Sequence, residues 1–346
     1  MTRHRAMRTA VAAVVALALP TAGRAQGAPP RLSFQVATGS TAGTYFPMGE
    51  LIAGIVSHPP GLPRCDAGGV CGPLGLIVSA RTSAGAVANV LAVNAGAVDS
   101  GLAQANVVAD ALAGTGAFHQ AGRQTHIRTI ANLFPETVQL VVAAKAPIAK
   151  LADLRGKRVS IGAEGAGAGV AAREILAAYH IAEWRLDIRR DSYDVDASLL
   201  LQGKIDAFFY MGAAPSEVVN DLVASRSARL IAIGGKARGR LFKRDPSFSA
   251  YTIPADTYPG SGAIETVSCR TLWIVKDSAP PGVVYGMLRA LFHPANRALL
   301  DSGERSARYI RLDQAAEGLT APLHPGAARY FREMGKLADL KAERRD

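Results

Sequence analysis

The chain has 346 residues, 39 Lys and Arg against 28 Asp and Glu, and 49% hydrophobic residues, which is enough length and apolar content for two domains around large cores. Its formal net charge of +11 comes from dispersed bases with no basic run interleaved with aromatics, so a nucleic-acid-binding surface is not expected, while attraction of a small anion is compatible with it. Its seven histidines and three cysteines show no zinc spacing, so neither a metal nor a cofactor is expected.

Residues 1–25 read as a cleaved secretory signal. Arg3, Arg5 and Arg8 precede an apolar run at residues 10–19, and Gly23-Arg24-Ala25 supplies the small residues of a cleavage site. The run is shorter than the ~20 residues that span a bilayer as a helix. A short buried N-terminal helix is the other reading. No Cys follows the cleavage site, so no lipid anchor is expected there, and no later segment is long and apolar enough to cross a membrane. The mature chain is expected in the periplasm. Loss of four arginines leaves it 35 bases against 28 acids.

Residues 32–38 read as a strand that runs into Gly39-Ser40-Thr41-Ala42-Gly43-Thr44 and a helix over about 47–56. Cys65 and Cys71 flank a Gly-rich stretch and read as a local disulfide of an oxidising compartment. The rival, a metal site, lacks a second Cys or His pair nearby. The apolar Leu76-Ile77-Val78 leads to Thr82 and Ser83, then to a helix over 86–93. That helix stops at Asn94-Ala95-Gly96, and a strand follows over 98–103. Residues 136–144 form a further strand.

The same grammar then repeats. Residues 158–162 read as a strand, 163–169 as a glycine loop and 170–179 as a helix. Residues 197–202 read as a helix that stops at Gly203, with a strand over 205–210. Cys269 lies in a long strand over 266–275 and reads as a buried free thiol. Helical stretches from about Pro281 onward are expected to pack back on the first half. Alternating strands and helices around parallel sheets make two α/β lobes with a ligand cleft between them. Lobe 1 is assigned to 31–138 plus 268–346 and lobe 2 to 139–267, with crossings near 136–144 and 265–275.

Both glycine loops end a strand and start a helix, where free N–H groups and the helix dipole favour anions. Ser40 and Thr41 suit either a carboxylate or a helix cap. Thr82 and Ser83 face the same choice, and Tyr45 is either a ligand contact or core. Gln104 ends a buried strand where its amide faces the cleft. Asp99 and Asp206 occupy matching places in the two halves and read as structural partners of backbone. Glu164 reads as a solvated loop charge. His324 and Arg329 are expected to tie the last helix to the first lobe. No Gly-x-Ser-x-Gly elbow is present, and Gly165-x-Gly167-x-Gly169 lacks dinucleotide spacing, so no enzyme of these classes is expected.

At these residues the chain resembles the TAXI-type substrate-binding subunits of TRAP transporters. The likeness runs over nearly the whole mature chain. It includes Thr38-Gly39-Ser40-Thr41-Ala42-Gly43-Thr44-Tyr45-Phe46-Pro47, Val98-Asp99-Ser100-Gly101-Leu102-Ala103-Gln104-Ala105-Asn106, Leu151-Ala152-Asp153-Leu154-Arg155-Gly156-Lys157, Gly203-Lys204-Ile205-Asp206-Ala207 and Leu323-His324-Pro325-Gly326. The resemblance implies a type II periplasmic-binding-protein fold and a non-catalytic, monomeric receptor. Such a receptor captures a small carboxylate, 2-oxoacid or amino acid such as glutamate for an ion-driven permease. A module feeding a sensor, or a periplasmic enzyme, is the alternative. By resemblance the cleft is lined by Gly39, Ser40, Thr41, Tyr45, Thr82, Ser83, Gln104, Asn106, Gly165, Ala166, Gly167, Ala168, Met211 and Pro215. Two departures stand out. Ala166 and Ala168 replace hydroxyl residues usual in the second loop, and Asn106 stands where Asp is frequent.

Overall fold

A computed structural model describes residues 31–337, residue 67 excepted. The signal reading at residues 1–25 lies outside the described residues. The first half runs β1 (Leu32–Ala37), α1 (Tyr45–Val56), β2 (Leu76–Arg81), α2 (Ala86–Ala95), β3 (Ser100–Gln104) and α3 (Ala105–Ala113). β1 pairs in parallel with β2 and β3. Every residue of β3 is buried, as a strand covered on both faces requires. Gly96 and Gly114 close α2 and α3 at φ of 75° and 71°, a left-handed turn that costs least without a Cβ.

The 17-residue β4 (Ile127–Ala143) leads out of this half. The second half runs β5 (Arg158–Ser160), α4 (Gly167–Ala178), β6 (Asp187–Arg189), α5 (Tyr193–Leu201) and β7 (Ala207–Gly212). It continues with α6 (Glu217–Ala224), β8 (Ala228–Ile231), α7 (Lys236–Arg244) and β9 (Phe248–Ile253). β5 pairs in parallel with β6 and β7, as β1 does with β2 and β3. The chain returns through β10 (Ile264–Lys276) to α8 (Pro281–Leu291), α9 (Arg297–Ser302) and α10 (Pro325–Glu333).

One sheet joins the halves in the order β2-β1-β3-β10-β4-β7-β5-β6, with β8 on β4 and β9 on β10. β4 lies against β10 from Ile127 to Thr137 and against β7 from Thr137 to Val142. β10 lies against β9 from Ile264 to Cys269 and against β3 from Thr271 to Val275. Two register shifts break the β4–β10 ladder, at Thr271/Leu272 and Trp273/Ile274, and irregularities of this kind bend and twist a ribbon. α4 starts at Gly167, earlier than the sequence suggests: Gly165 turns the chain at φ 83°, Ala166 is extended, and Gly167 and Gly169 are already helical.

The matching aspartates do matching work. Asp99 Oδ2 accepts from the Gln35 N–H at 2.7 Å, and Asp206 Oδ2 accepts from the Arg158 N–H at 2.9 Å. Each pins the neighbouring strand of its own half, and Asp206 also pairs with the Arg158 guanidinium at 2.7 Å. His324 is fully buried and caps α10. Its Nδ1 accepts from Gly326 N–H at 3.2 Å, which leaves Nε2 to donate to Ala279 O at 3.0 Å. Arg329 instead pairs with Glu333 on its own helix and stacks 4.6 Å over Tyr285 of α8.

Cys65 and Cys71 are disulfide-bonded, and Cys269 is a buried free thiol that burial pushes up to about 12. Thiol labelling of denatured, unreduced protein is therefore expected to find one reactive cysteine. Three labelled cysteines would refute the pairing.

Candidate ligand-binding cleft

A cavity of about 100 Å³ lies between the halves. One water needs about 10–15 Å³ by this measure, so the space suits several waters or one small solute. The first half supplies Gly39, Ser40, Thr44 and Tyr45 where β1 passes into α1, Ser83 to Ala86 at the start of α2, and Gln104 at the end of β3. The second half supplies Ala166 to Ala168 at the start of α4, Asp191 to Tyr193 at the start of α5, and Met211 on β7. Glu136 of β4 completes the wall. Among the described residues that line it, none is Lys, Arg or His.

Four helix N-termini converge here, and their amides are not equally free. α2 is engaged: the N–H groups of Val87 and Ala88 donate to Gly165 O at 3.0 and 3.2 Å. That carbonyl belongs to the other half, so the pair of bonds latches the halves over the cavity. A second latch joins the Ala213 N–H to Thr44 Oγ1 at 2.9 Å. Gly167 lets the halves meet: a Cβ there would strike Gln104 Oε1. α1 and α4 keep N-terminal amides that have no acceptor within their own helices. They approach the cavity from opposite halves, and their dipoles favour negative charge.

Tyr45 and Glu136 form a buried pair. The Tyr45 hydroxyl donates to Glu136 Oε2 at 2.9 Å, and Glu136 is 1% exposed. Burial raises the Glu136 carboxyl to about 7, opposed first by the hydrogen bond from Tyr45 and then by the nearby Gln104 and Thr271 side chains. Burial, then the neighbouring Glu136, raises Tyr45 well above the usual phenol range. Tyr193 brackets Met211 through its hydroxyl, donating to the Met211 carbonyl at 3.1 Å, and its ring centroid lies 4.4 Å from that of Tyr210. Gln104 is buried and its Oε1 has no partner.

The structure gathers Gly39, Ser40, Tyr45, Ser83, Gln104, Ala166, Gly167, Ala168 and Met211 around this one cavity. The Ser83 hydroxyl is held 2.6 Å from Asn89 Oδ1 and accepts from the Gly85 N–H at 3.0 Å, so it also fixes its own loop. Thr41 and Pro215 line a separate, larger hollow that shares Gly43 and Thr44 with the first. Thr82 is exposed and lines neither hollow. Asn106 is buried, with its Oδ1 3.5 Å from the Cys269 thiol. Gly165 contributes its carbonyl to the latch and does not line the cavity. Glu164 is exposed.

The profile of the NMT1-like family matches residues 36–335, nearly all of the described chain. The chain belongs to the NMT1-like family. Among solved structures, this NMT1-like chain is similar to MatC from Rhodopseudomonas palustris with bound malate, at a TM-score of 0.52 and 12% identity over 88% of this chain and 97% of that one. It is similar to a periplasmic transporter protein at a TM-score of 0.50 and 12% identity, over 88% and 93% of the two chains. It is also similar to the alkanesulfonate-binding protein SsuA from Xanthomonas axonopodis pv. citri bound to MOPS, at 0.48 and 16%, over 90% and 96%. The fold is that of the two-lobed periplasmic binding proteins.

Glu136, Tyr193 with its neighbours Asp191 and Ser192, and Ala84 to Ala86 are lining residues of the NMT1-like chain that sequence reasoning passed over, while Thr44 lies in the 39–45 loop that the resemblance places along the cleft. Glu136 carried a signal: a lone acid opening an apolar strand is rarely buried without purpose. Tyr193 carried one by symmetry, since α5 follows β6 in the second half as α2 follows β2 in the first.

Proposed function

We propose that the protein is an extracytoplasmic solute receptor whose lobes, 31–138 plus 268–346 and 139–267, close on a small organic anion and present it to a TRAP-type permease. One observation carries this reading: the N-termini of α1 and α4 face one partly open cavity from opposite halves, and backbone bonds join the halves beside it. An anion there gains donors from both lobes at once, so binding and closure reinforce each other. The TAXI-like motifs supply the transporter class. Ala166 and Ala168 on the second-lobe wall offer methyl groups where the resemblance has hydroxyls, which favours monocarboxylates and 2-oxoacids with an apolar tail over dicarboxylates.

The test is a thermal-shift screen of the mature chain against acetate, pyruvate, 2-oxoisovalerate, 2-oxoglutarate and L-glutamate. A binder at ~100 times its dissociation constant adds about 2.7 kcal/mol to stability, a clear upward shift in Tm. No shift with any of these acids at millimolar concentration would sink the organic-anion reading.

A further inference from the structure

We propose that Glu136 sets the charge this cavity accepts: one anionic group enters together with one proton, which resides on Glu136 in the closed form, and a second anionic group is rejected. The inference rests on the organic-anion reading and adds the residue that limits it.

The geometry leads there in three steps. The Glu136 carboxyl lines the cavity, is 1% exposed and receives one hydrogen bond, from Tyr45. The groups facing it are Tyr45 from α1, Gln104 from β3, Cys269 and Thr271 from β10, Tyr193 from α5 with Asp191 just before it, and Tyr210 from β7. None of these carries positive charge. An ionised Glu136, itself buried, and a bound carboxylate would therefore share a small space lined by no cationic side chain, with only helix ends to offset them, and like charges so placed raise each other's proton affinity. The second observation is Gln104 Oε1, buried in the same wall without a donor. A Glu136 that has taken a proton from solvent becomes a donor beside the unpartnered Gln104 Oε1, to Gln104 or to the solute, while its other oxygen still accepts from Tyr45. The rise of the Glu136 carboxyl to about 7 by burial points the same way.

Two measurements test this. The first needs no ligand. Carbon-13 carboxyl spectra of the mature chain are titrated with pH, Glu136→Gln serving to assign the signal. A midpoint near 7 is expected, and an ordinary carboxylate midpoint of about 4.3 overturns the proposal. With the folded carboxyl raised above its unfolded value, its contribution to stability is complete at low pH and is lost as pH rises through about 7. Glu136→Gln is expected to remove that loss.

The second measurement uses pyruvate and 2-oxoglutarate as probes in calorimetry. Pyruvate affinity is expected to fall by about tenfold per pH unit above about pH 7, the slope of one linked proton, and 2-oxoglutarate is expected to bind at least about tenfold more weakly than pyruvate. In Glu136→Gln the pH slope is expected to vanish. Equal pyruvate affinity across the same range in both proteins removes the proton link while leaving the organic-anion reading standing. Failure of every acid in the panel, with Glu136 still titrating near 7, removes that reading and this proposal with it.

Discussion

Replacing Trp273 by alanine is expected to cost about 3–5 kcal/mol of folding stability, the range for emptying a large buried aromatic site, while the same change at Trp184 costs no more than about 0.5 kcal/mol. The chain has only these two tryptophans, and they sit at opposite extremes. Trp184 is 78% exposed, beside Arg185. Trp273 is fully buried on β10, at one of the two breaks in the β4–β10 ladder, and its indole N–H donates to Ser100 Oγ on β3 at 3.1 Å. Truncation there leaves a cavity and strips a donor from the strand that joins the halves. Urea unfolding followed by far-ultraviolet circular dichroism reads both variants without relying on indole fluorescence. Similar midpoints for the two would refute the structural role given to β10.

Thr44→Val is expected to weaken solute binding by about 5–150-fold with little effect on the open form. Thr44 Oγ1 accepts from the Ala213 N–H across the cleft, and Ala213 is buried. Valine keeps the shape and removes the acceptor. In the closed state the Ala213 N–H is then buried without a partner, at a cost of about 1–3 kcal/mol, which corresponds to that range of affinity. In an open state water satisfies it. The Thr44 side chain makes no capping bond to α1, so the helix itself should be unaffected. Calorimetry with the tightest acid of the panel measures the loss, and small-angle scattering should show the variant reaching the compact form only at higher solute concentration. Unchanged affinity would mean that this bond does not report closure.

The paired halves were legible in the sequence because their signals are local. A Gly after each helix, an Asp shortly beyond it and a glycine loop after each leading strand repeat in order. The structure gives Asp99 and Asp206 the same backbone-pinning task. The cleft was legible only where a residue sits in one of those loops or ends a strand, as Ser40, Ala166 and Gln104 do. Glu136 was hidden for a physical reason. Which face of β4 it occupies depends on pairing with β10, where it stands opposite Cys269, a partner far away in sequence. Thr41 and Ser40 are neighbours in one motif, yet only Ser40 lines the cavity. The start of α4 was read late because three glycines look like loop by propensity. Only Gly167 and Gly169 are helical, while Gly165 stays in the loop at φ 83°, and Gly167 lies where any side chain would meet Gln104.

The place of β10 between β3 and β4 fixes the order in which the molecule can be completed. β3 and β4 are made early, but neither acquires its shared neighbour until residues 264–276 exist. The second half, by contrast, has β4 and β5 to β8 within one unbroken stretch of chain. During synthesis the first half therefore stays an open sheet with two bare inner edges, dependent on contacts of long sequence separation that form slowly. The delay is built into the strand order of the chain itself. Its first half cannot lock until nearly the last quarter has arrived.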